Sequence, residues 1–108
     1  MKTLNTRDLA YIAGFVDGEG FVGYVKDKTT PRRVRLYLRV KVTNTNYPIL
    51  LWLKEVTGVG AISEEKRKLQ LVGHKPVYDW SVYSNDAKDL VKAIKPYLKI
   101  KAGQGFLI

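Results

Sequence analysis

A chain of 108 residues accommodates one domain with a modest hydrophobic core. It has no cysteine, which excludes disulfide bonds and thiolate metal sites. No run approaches the ~20 apolar residues that cross a bilayer and no signal peptide is apparent, so we expect a soluble, intracellular protein with no membrane partner, and its net charge of +9 favours acidic partners.

The first predicted helix is capped by Asn5 or Thr6 and runs to about Val16, within the segment LAYIAGFVDGEG. Small residues recur in it at every fourth position, at Ala10, Gly14 and Gly18. Residues at this spacing share one helix face. A glycine inside a helix costs up to ~1 kcal/mol relative to alanine. Such a stripe is tolerated best where another backbone approaches closely, as in small-xxx-small helix pairs.

Two carboxylates, Asp17 and Glu19, close this segment. They lie at the negative end of the helix macrodipole, where acids are disfavoured by up to ~1 kcal/mol. A positive group, for instance a metal ion, would relieve this arrangement.

Two strands are predicted next, at Phe21–Lys28 and Arg32–Thr43, with a turn over Lys28–Pro31 between them. The second strand alternates clearly between an apolar and a polar face. The apolar face carries Val34, Leu36, Leu38, Val40 and Val42. The polar face carries Arg33, Arg35, Tyr37, Arg39, Lys41 and Thr43, so every charge on it is positive.

This polar face predicts a nucleic-acid partner. Residues 26–41 contain seven basic residues and one acidic residue, and concentrated charge of this kind is typical of proteins that bind polyanions. From Arg33 to Lys41 the strand spans about 26 Å, or roughly eight base pairs of duplex. Arginine and lysine can contact guanine edges or phosphates, and an ordinary solvated strand face would carry both signs of charge.

The middle of the chain predicts a helix and a third strand. Asn44–Asn46 and Pro48 start the helix. Its buried face carries Ile49, Trp52, Leu53 and Val56. Gly58–Gly60 ends the helix, and the strand covers Ala61–Glu65. Residues 66–76 are either a basic loop or an extended hairpin arm.

A fourth strand, Val77–Ser84, has Tyr78, Trp80 and Val82 on its core side. Asn85 is expected to cap a third helix, which Pro96 interrupts. Its buried face carries Ala87, Leu90, Val91 and Ile94. A short final helix over residues 97–108 is weakened by two glycines. The predicted order is α-β-β-α-β-β-α.

The segment IAGFVDGEG, residues 12–20, resembles the signature helix of the LAGLIDADG homing endonucleases. The likeness continues at residues 42–44, 58–60 and 95–101 and covers nearly the whole chain as one domain, 1–108. It implies an α+β fold in which a saddle-shaped antiparallel sheet rides on double-stranded DNA with helices on its other face. Signature helices pack in pairs in this family, and one signature helix per chain therefore implies a homodimer.

The resemblance also implies the site residues. Glu19 takes the catalytic acidic position and would bind Mg²⁺, or another divalent ion such as Mn²⁺, together with the Gly18 carbonyl. Asn44 matches a position that orders solvent near the metals. Lys101 matches a lysine near the cleaved phosphate, or lies there for helix-dipole reasons alone. Asp17 matches an acid with a mainly structural role.

Further contacts follow from the same resemblance. The helix interface between copies is expected to comprise Ala10, Ala13, Gly14, Asp17 and Gly18. In the first strand, Gly23, Val25 and Asp27 would face DNA while Val22 and Tyr24 pack. On the last two strands the polar-face candidates are Ser63, Glu65, Asp79 and Ser81, which either accept hydrogen bonds from cytosine amines or are simply solvated.

The expected function is a DNA endonuclease that cuts both strands of a long, partly palindromic site, in the service of intron or intein mobility. A non-cleaving relative is the alternative: an intron-splicing maturase with an RNA partner, or a DNA-binding regulator. A third interpretation is one half of a split or engineered two-domain enzyme. His74 has no obvious metal partner and is expected to be an exposed loop residue.

Overall fold

The computed structural model describes residues 1–27, 35–65 and 76–101. Its helices and strands in this part of the chain are α1 (Thr6–Glu19), β1 (Gly20–Asp27), β2 (Arg35–Asn44), α2 (Tyr47–Thr57), β3 (Ala61–Glu65), β4 (Val77–Tyr83) and α3 (Ser84–Ile94), followed by a 3-10 turn at Lys95–Tyr97. The predicted order is confirmed. The strands form one antiparallel sheet in the order β1-β2-β4-β3.

The pairing register gives the sheet two faces of different chemistry. Gly23 lies opposite Arg39, Thr43 opposite Asp79, and Asp79 opposite Ser63, so odd-numbered residues of all four strands share one face. The even-numbered face meets the helices. Its fully or nearly fully buried residues include Val22, Leu38, Val40, Val42, Trp80 and Val82, which form one core with Ile12, Val16, Leu50, Leu53, Leu90 and Ile94 of the helices.

The start of α1 follows the prediction, and its end does not. Asn5 caps the helix by accepting a hydrogen bond from the Asp8 backbone N–H at 2.8 Å. The helix continues to Glu19 rather than ending near Val16. Gly18 does not break it, because contacts from residues 99–101, more than 80 positions away, stabilise this end.

Helix α2 begins and ends as predicted. Asn46 accepts a hydrogen bond from the Ile49 backbone N–H at 3.1 Å, and Gly58 ends the helix in the left-handed region at φ 73°. The buried face is rotated from the predicted one, since Leu50 joins Leu53 at full burial. The remaining members of the predicted face, Ile49, Trp52 and Val56, are partly buried at its flanks.

Two predictions near β4 and α3 are wrong. The strand ends at Tyr83, and Ser84, at φ 55°, already belongs to the helix. The chain therefore turns directly from strand to helix. Asn85 lies inside the first turn and cannot cap it, and no side chain makes a capping hydrogen bond there.

The apolar face of the β1–β2 hairpin is only partly covered. Val22 packs as predicted, whereas Tyr24 and Leu36 are 48% and 61% exposed. They share the even-numbered face with Lys26, which pairs with Leu36 toward the far end of the hairpin. The core ends before this point, so the alternating pattern overstates how much of the strand is buried.

Several predicted features lie outside the described residues: the turn at 28–31, Arg33 and Val34, residues 66–75 with His74, and the last seven residues of the proposed final helix. In the described part of the chain, no helix has the length and hydrophobicity that spanning a membrane requires.

Candidate functional site

The odd-numbered face of the sheet carries the positive charge of β2. Arg35 is exposed, and Tyr37, Arg39 and Lys41 are partly exposed on this face. Ser63 and Glu65 of β3 and Asp79 and Ser81 of β4 lie on the same face, as predicted. The described residues thus contain a cationic strand flanked on one side by short polar side chains.

Strand β4 holds Arg39 at two points. The guanidinium Nη2 donates to the Ser81 hydroxyl at 3.1 Å, and the guanidinium carbon lies 5.3 Å from the centroid of the Tyr83 ring. Tyr37 adds a second ring 5.8 Å from that of Tyr83. Cation–π contact and hydrogen bonding together restrict a side chain that otherwise samples many rotamers.

Asp79 holds the next two side chains of β2. Its Oδ1 accepts a hydrogen bond from the Thr43 hydroxyl, and its Oδ2 lies 3.7 Å from Lys41 Nζ. Asp79 and Ser81 are 7% and 6% exposed. The prediction treated them as free acceptors or solvated groups. Instead, both are engaged with β2, because antiparallel pairing places them beside Lys41 and Thr43.

The end of α1 presents Glu19 beside this charged face. Glu19 is exposed and accepts a hydrogen bond from Asn44 Nδ2 at 2.9 Å. The Asn44 side-chain oxygen Oδ1 in turn accepts a hydrogen bond from the Asn46 backbone N–H at 2.8 Å, which fixes the orientation of the side-chain amide. Glu19 also lines an open cleft with Phe21, Val25, Arg39, Lys41 and Thr43. Two of the three predicted catalytic residues are therefore in contact.

Asp17 joins the helix end to the C-terminal segment. Its carboxylate accepts hydrogen bonds from the backbone N–H groups of Lys99, Ile100 and Lys101, the last at 2.8 Å. The hydrogen bond from Lys99 contributes most to lowering the pKa of Asp17 below its ordinary value, and burial partly opposes it. These contacts support the structural role expected for this acid.

Lys101 lies at the same helix end. Its ammonium donates to the Asp17 carbonyl oxygen at 2.7 Å, one of the terminal carbonyls that have no partner within a helix. Lys101 and the three N–H groups supply positive charge at the negative end of α1. The contact of the Lys101 ammonium with the Asp17 carbonyl therefore places a cation at the negative end of the helix dipole.

The small-residue face of α1 is open. Ala10, Gly14 and Gly18 are exposed, and a Cβ added to either glycine would meet no described atom within 4 Å. Ala13 and Asp17, which were expected in the same interface, are 0% and 7% exposed. Their assignment to a contact between copies is wrong, because both side chains point into their own subunit.

The oxygen atoms at the end of α1 suit a hard divalent cation. The Glu19 carboxylate is exposed, and Gly18 contributes a carbonyl from the last turn of the helix, where intrahelical partners run out. Within the described residues, no three histidine, cysteine, aspartate or glutamate side chains are grouped to bind a metal. The donors of one chain fit part of a coordination sphere.

Sequence reasoning missed residues on the charged face. Phe21 is 47% exposed beside Gly23, and Tyr83 is 43% exposed beside Arg39. Both could have been found by extending the odd-numbered alternation of β2 to its neighbours, since antiparallel strands in register place matching parity on one face. An exposed aromatic ring on a cationic face can pack against a base or a sugar.

The fold and the site together define a class. The antiparallel sheet and the helices packed on one of its faces have the fold of solved homing endonucleases. A family model described as LAGLIDADG endonuclease matches residues 12–102. The chain belongs to the LAGLIDADG endonuclease family.

Solved structures agree on the fold. The homing endonuclease I-CvuI, in complex with its target, has a TM-score of 0.71 and 22% identity over 91% of this chain and 60% of its own. The archaeal intron-encoded homing endonuclease I-Vdi141I, complexed with DNA, has a TM-score of 0.71 and 24% identity over 91% of this chain and 62% of its own. The meganuclease I-SmaMI, bound to uncleavable DNA, has a TM-score of 0.71 and 19% identity over 96% of this chain and 35% of its own.

The chain therefore spans about three fifths of the I-CvuI and I-Vdi141I chains and about a third of I-SmaMI. No curated protein matches the chain by sequence.

Proposed function

We propose that this protein is a divalent-metal-dependent, site-specific DNA endonuclease that acts as a homodimer. The observation that carries the proposal is the position of Glu19, an exposed carboxylate at the end of an open small-residue helix face, at the edge of a cationic sheet surface. Such a placement brings an acid to the phosphate backbone that the arginines and lysines attract.

DNA binding is supported by the charge of the sheet and by relatives. Net charge is +9, and Arg35, Arg39 and Lys41 lie on one face of one strand. I-Vdi141I and I-CeuI, which share the fold, are complexed with DNA in their structures. Double-stranded DNA is therefore the partner that we assign to the charged face.

Glu19 and the Gly18 carbonyl would hold the metal ion, for which Mg²⁺ is the first choice and Mn²⁺ the second. A bound divalent ion supplies an activated water and a counter-charge for the leaving oxygen. Asn44 orients the Glu19 carboxylate through its hydrogen bond. Lys101 keeps a positive charge next to the same helix end. Structures of I-CvuI were determined in the presence of Ca, and of Mg with DNA not cleaved.

A second copy would supply what one chain lacks. One Glu19 per chain offers too few carboxylates for two metal ions, and two copies that meet through Ala10, Gly14 and Gly18 would bring two Glu19 side chains together. Carboxylates this close repel unless cations lie between them. The dimer and the metal are thus parts of one proposal.

The test is selection of cleaved sites from a random duplex DNA pool with Mg²⁺, and separately with Mn²⁺. We expect one partly palindromic sequence to be enriched among the products, and a chelator to abolish cleavage. Glu19→Gln should cleave at less than about a hundredth of the wild-type rate, since a metal ligand is lost while duplex affinity persists. Glu55→Gln, which alters an exposed acid of α2, is the matched control.

Wild-type protein that binds duplex DNA but cleaves none with either ion would contradict the nuclease proposal and favour a non-cleaving regulator. Tighter binding to intron RNA than to any duplex would favour a maturase. Loss of both binding and cleavage in Glu19→Gln would contradict the catalytic assignment of Glu19.

A further inference from the structure

We infer that Asp79 is a positioning residue that sets DNA sequence specificity through Lys41 and Thr43, rather than by contacting a base. This inference rests on the proposed DNA-binding function and identifies a residue that controls its selectivity. The observation behind it is a nearly buried carboxylate on β4, directly beside the cations of β2.

Both carboxylate oxygens of Asp79 are directed at the neighbouring strand. Oδ1 accepts from the Thr43 hydroxyl, and Oδ2 lies 3.7 Å from Lys41 Nζ. The register explains this, because Thr43 is directly opposite Asp79 and Lys41 is its diagonal neighbour. The Asp79 side chain is 9% exposed against 29% for Lys41, so Lys41 is the member of the pair that remains accessible to a ligand.

A lysine whose ammonium group is restrained differs in DNA sequence preference from one whose ammonium group moves freely. Lysine is a point charge on a flexible stem, and an unrestrained ammonium finds a phosphate in any sequence. Asp79 holds the ammonium near one position and offsets its charge. Lys41 then contributes most to the binding free energy when the correct base edge lies at that position. Specificity is the difference in binding free energy between that base and the other bases.

Arg39 shows the same arrangement one position pair along the strands. Ser81 and the ring of Tyr83 restrain its guanidinium, as Asp79 restrains Lys41. Two successive cations of β2 are thus held by side chains of β4. This repetition argues that β4 orders the cationic face as a unit, and Asp79 is its charged member.

The experiment is a binding selection from a random duplex pool with Ca²⁺ in place of Mg²⁺, with wild type, Asp79→Asn, Lys41→Ala and the double variant. Asp79→Asn should lower the ratio of specific to non-specific affinity about tenfold, with base preference relaxed at the same positions as in Lys41→Ala. Its salt dependence should steepen by about one phosphate contact. In the Lys41→Ala background, Asp79→Asn should change the ratio less than about twofold, because asparagine keeps an acceptor oxygen for the Thr43 hydroxyl.

Glu64→Gln removes the same charge from the opposite face of β3 and should leave base preference unchanged. Thr43→Val tests the other contact of Asp79 without altering the acid, and should relax preference at an overlapping position. Circular dichroism on each variant reports whether the fold is retained.

Four results would overturn the inference. A uniform loss of affinity across all sequences in Asp79→Asn would assign the carboxylate a structural role. Altered preference that persists in the Lys41→Ala background would make Asp79 a direct base contact. A wild-type protein that enriches no duplex sequence would overturn the proposed DNA recognition and this inference with it, whereas wild-type enrichment with unchanged Asp79→Asn preference would overturn this inference alone.

Discussion

At the scale of single residues, Asp17 and Asn44 order the end of α1 around Glu19. Asp17 gathers three backbone N–H groups from residues 99–101, and Asn44 donates to the Glu19 carboxylate. Neither contact is visible in the local sequence, because both partners come from distant positions. They make the acid at the helix end part of an ordered site rather than a solvated terminus.

Asp17 predicts an acid-dependent contribution to stability. The pKa of Asp17 is lowered in the folded state, chiefly by the Lys99 backbone hydrogen bond. Between the folded and unfolded pKa values the unfolded state binds more protons, so the free energy of unfolding rises with pH. The contribution is complete above the unfolded pKa of ~3.9 and is lost as pH falls through the lower folded value. Asp17→Asn should melt below wild type at pH 7, with the difference narrowing below about pH 4.

Thermal melts across that pH range measure the difference, and Asp89→Asn, at an exposed site of α3, is the control. A constant separation between wild type and Asp17→Asn at every pH would contradict the role assigned to the ionised carboxylate.

Asn44→Ala tests the orientation of Glu19. Because the amide is locked by the Asn46 N–H and donates to Glu19 at 2.9 Å, its removal frees the carboxylate to adopt other rotamers. Cleavage should slow by about 10- to 100-fold, the usual effect of losing a partner of a metal ligand, while duplex affinity stays close to wild type. Single-turnover cleavage assays measure this. An unchanged rate would mean that Glu19 needs no such support, and Asn5→Ala removes an asparagine cap from the far end of α1 as a control.

At the scale of elements, α1 has a buried face and an open one. Ile12, Ala13 and Val16 pack in the core, while Ala10, Gly14 and Gly18 are exposed. The helix has two glycines on the open face, and no described atom of its own subunit lies within 4 Å of a Cβ added to either one. This combination favours a second backbone as the missing neighbour.

Gly14→Leu should therefore separate association from folding. Leucine fits the subunit, since no described atom lies within 4 Å of the new Cβ, and it favours the helix by up to ~1 kcal/mol over glycine. The same side chain should hold two α1 helices apart. Light scattering should give a monomer mass with a native circular dichroism spectrum, and Lys88→Leu on α3 should leave the mass of wild type. A dimer that survives Gly14→Leu would assign the interface elsewhere.

Sequence patterns predicted the elements well where local chemistry decides them. The bounds of β3 and the caps at Asn5 and Asn46 follow the prediction. Patterns failed where contacts between distant residues determine the structure. Helix α1 continues past Gly18 because hydrogen bonds from residues 99–101 stabilise its end. Leu36 is exposed because the hydrophobic core does not extend to it. Alternation defines a face but not what covers it.

The candidate site was predictable to a similar degree. Glu19, Asn44 and the cations of β2 could be identified from motif and alternation, and the structure brings the first two into contact. The pairing of Asp79 with Lys41 depends on strand order β2-β4, which no local pattern determines. Ala13 shares the small size of the stripe but lies a quarter turn away from it, toward the core.

At the scale of the whole molecule, the charged sheet face and the open helix face have different proposed partners. The sheet face is assigned to DNA, and the helix face to a second copy, which would place two Glu19 side chains on one duplex. Under this proposal, a single subunit supplies one Glu19 side chain and half of the surface that contacts DNA. The central claim is that two copies meet through α1 and place their Glu19 side chains on one duplex.

Cysteine cross-linking tests it most directly, because the chain has no cysteine and any introduced thiol is unique. Ala10→Cys, Gly14→Cys and Gly18→Cys each place a thiol on the open face of α1, and disulfides form when Cα atoms lie about 4.4–6.8 Å apart. At least one variant should give a disulfide-linked dimer on oxidation, while Lys88→Cys stays monomeric. Monomers throughout the α1 series, or cross-linking no faster than at Lys88, would contradict convergence of two copies through this helix.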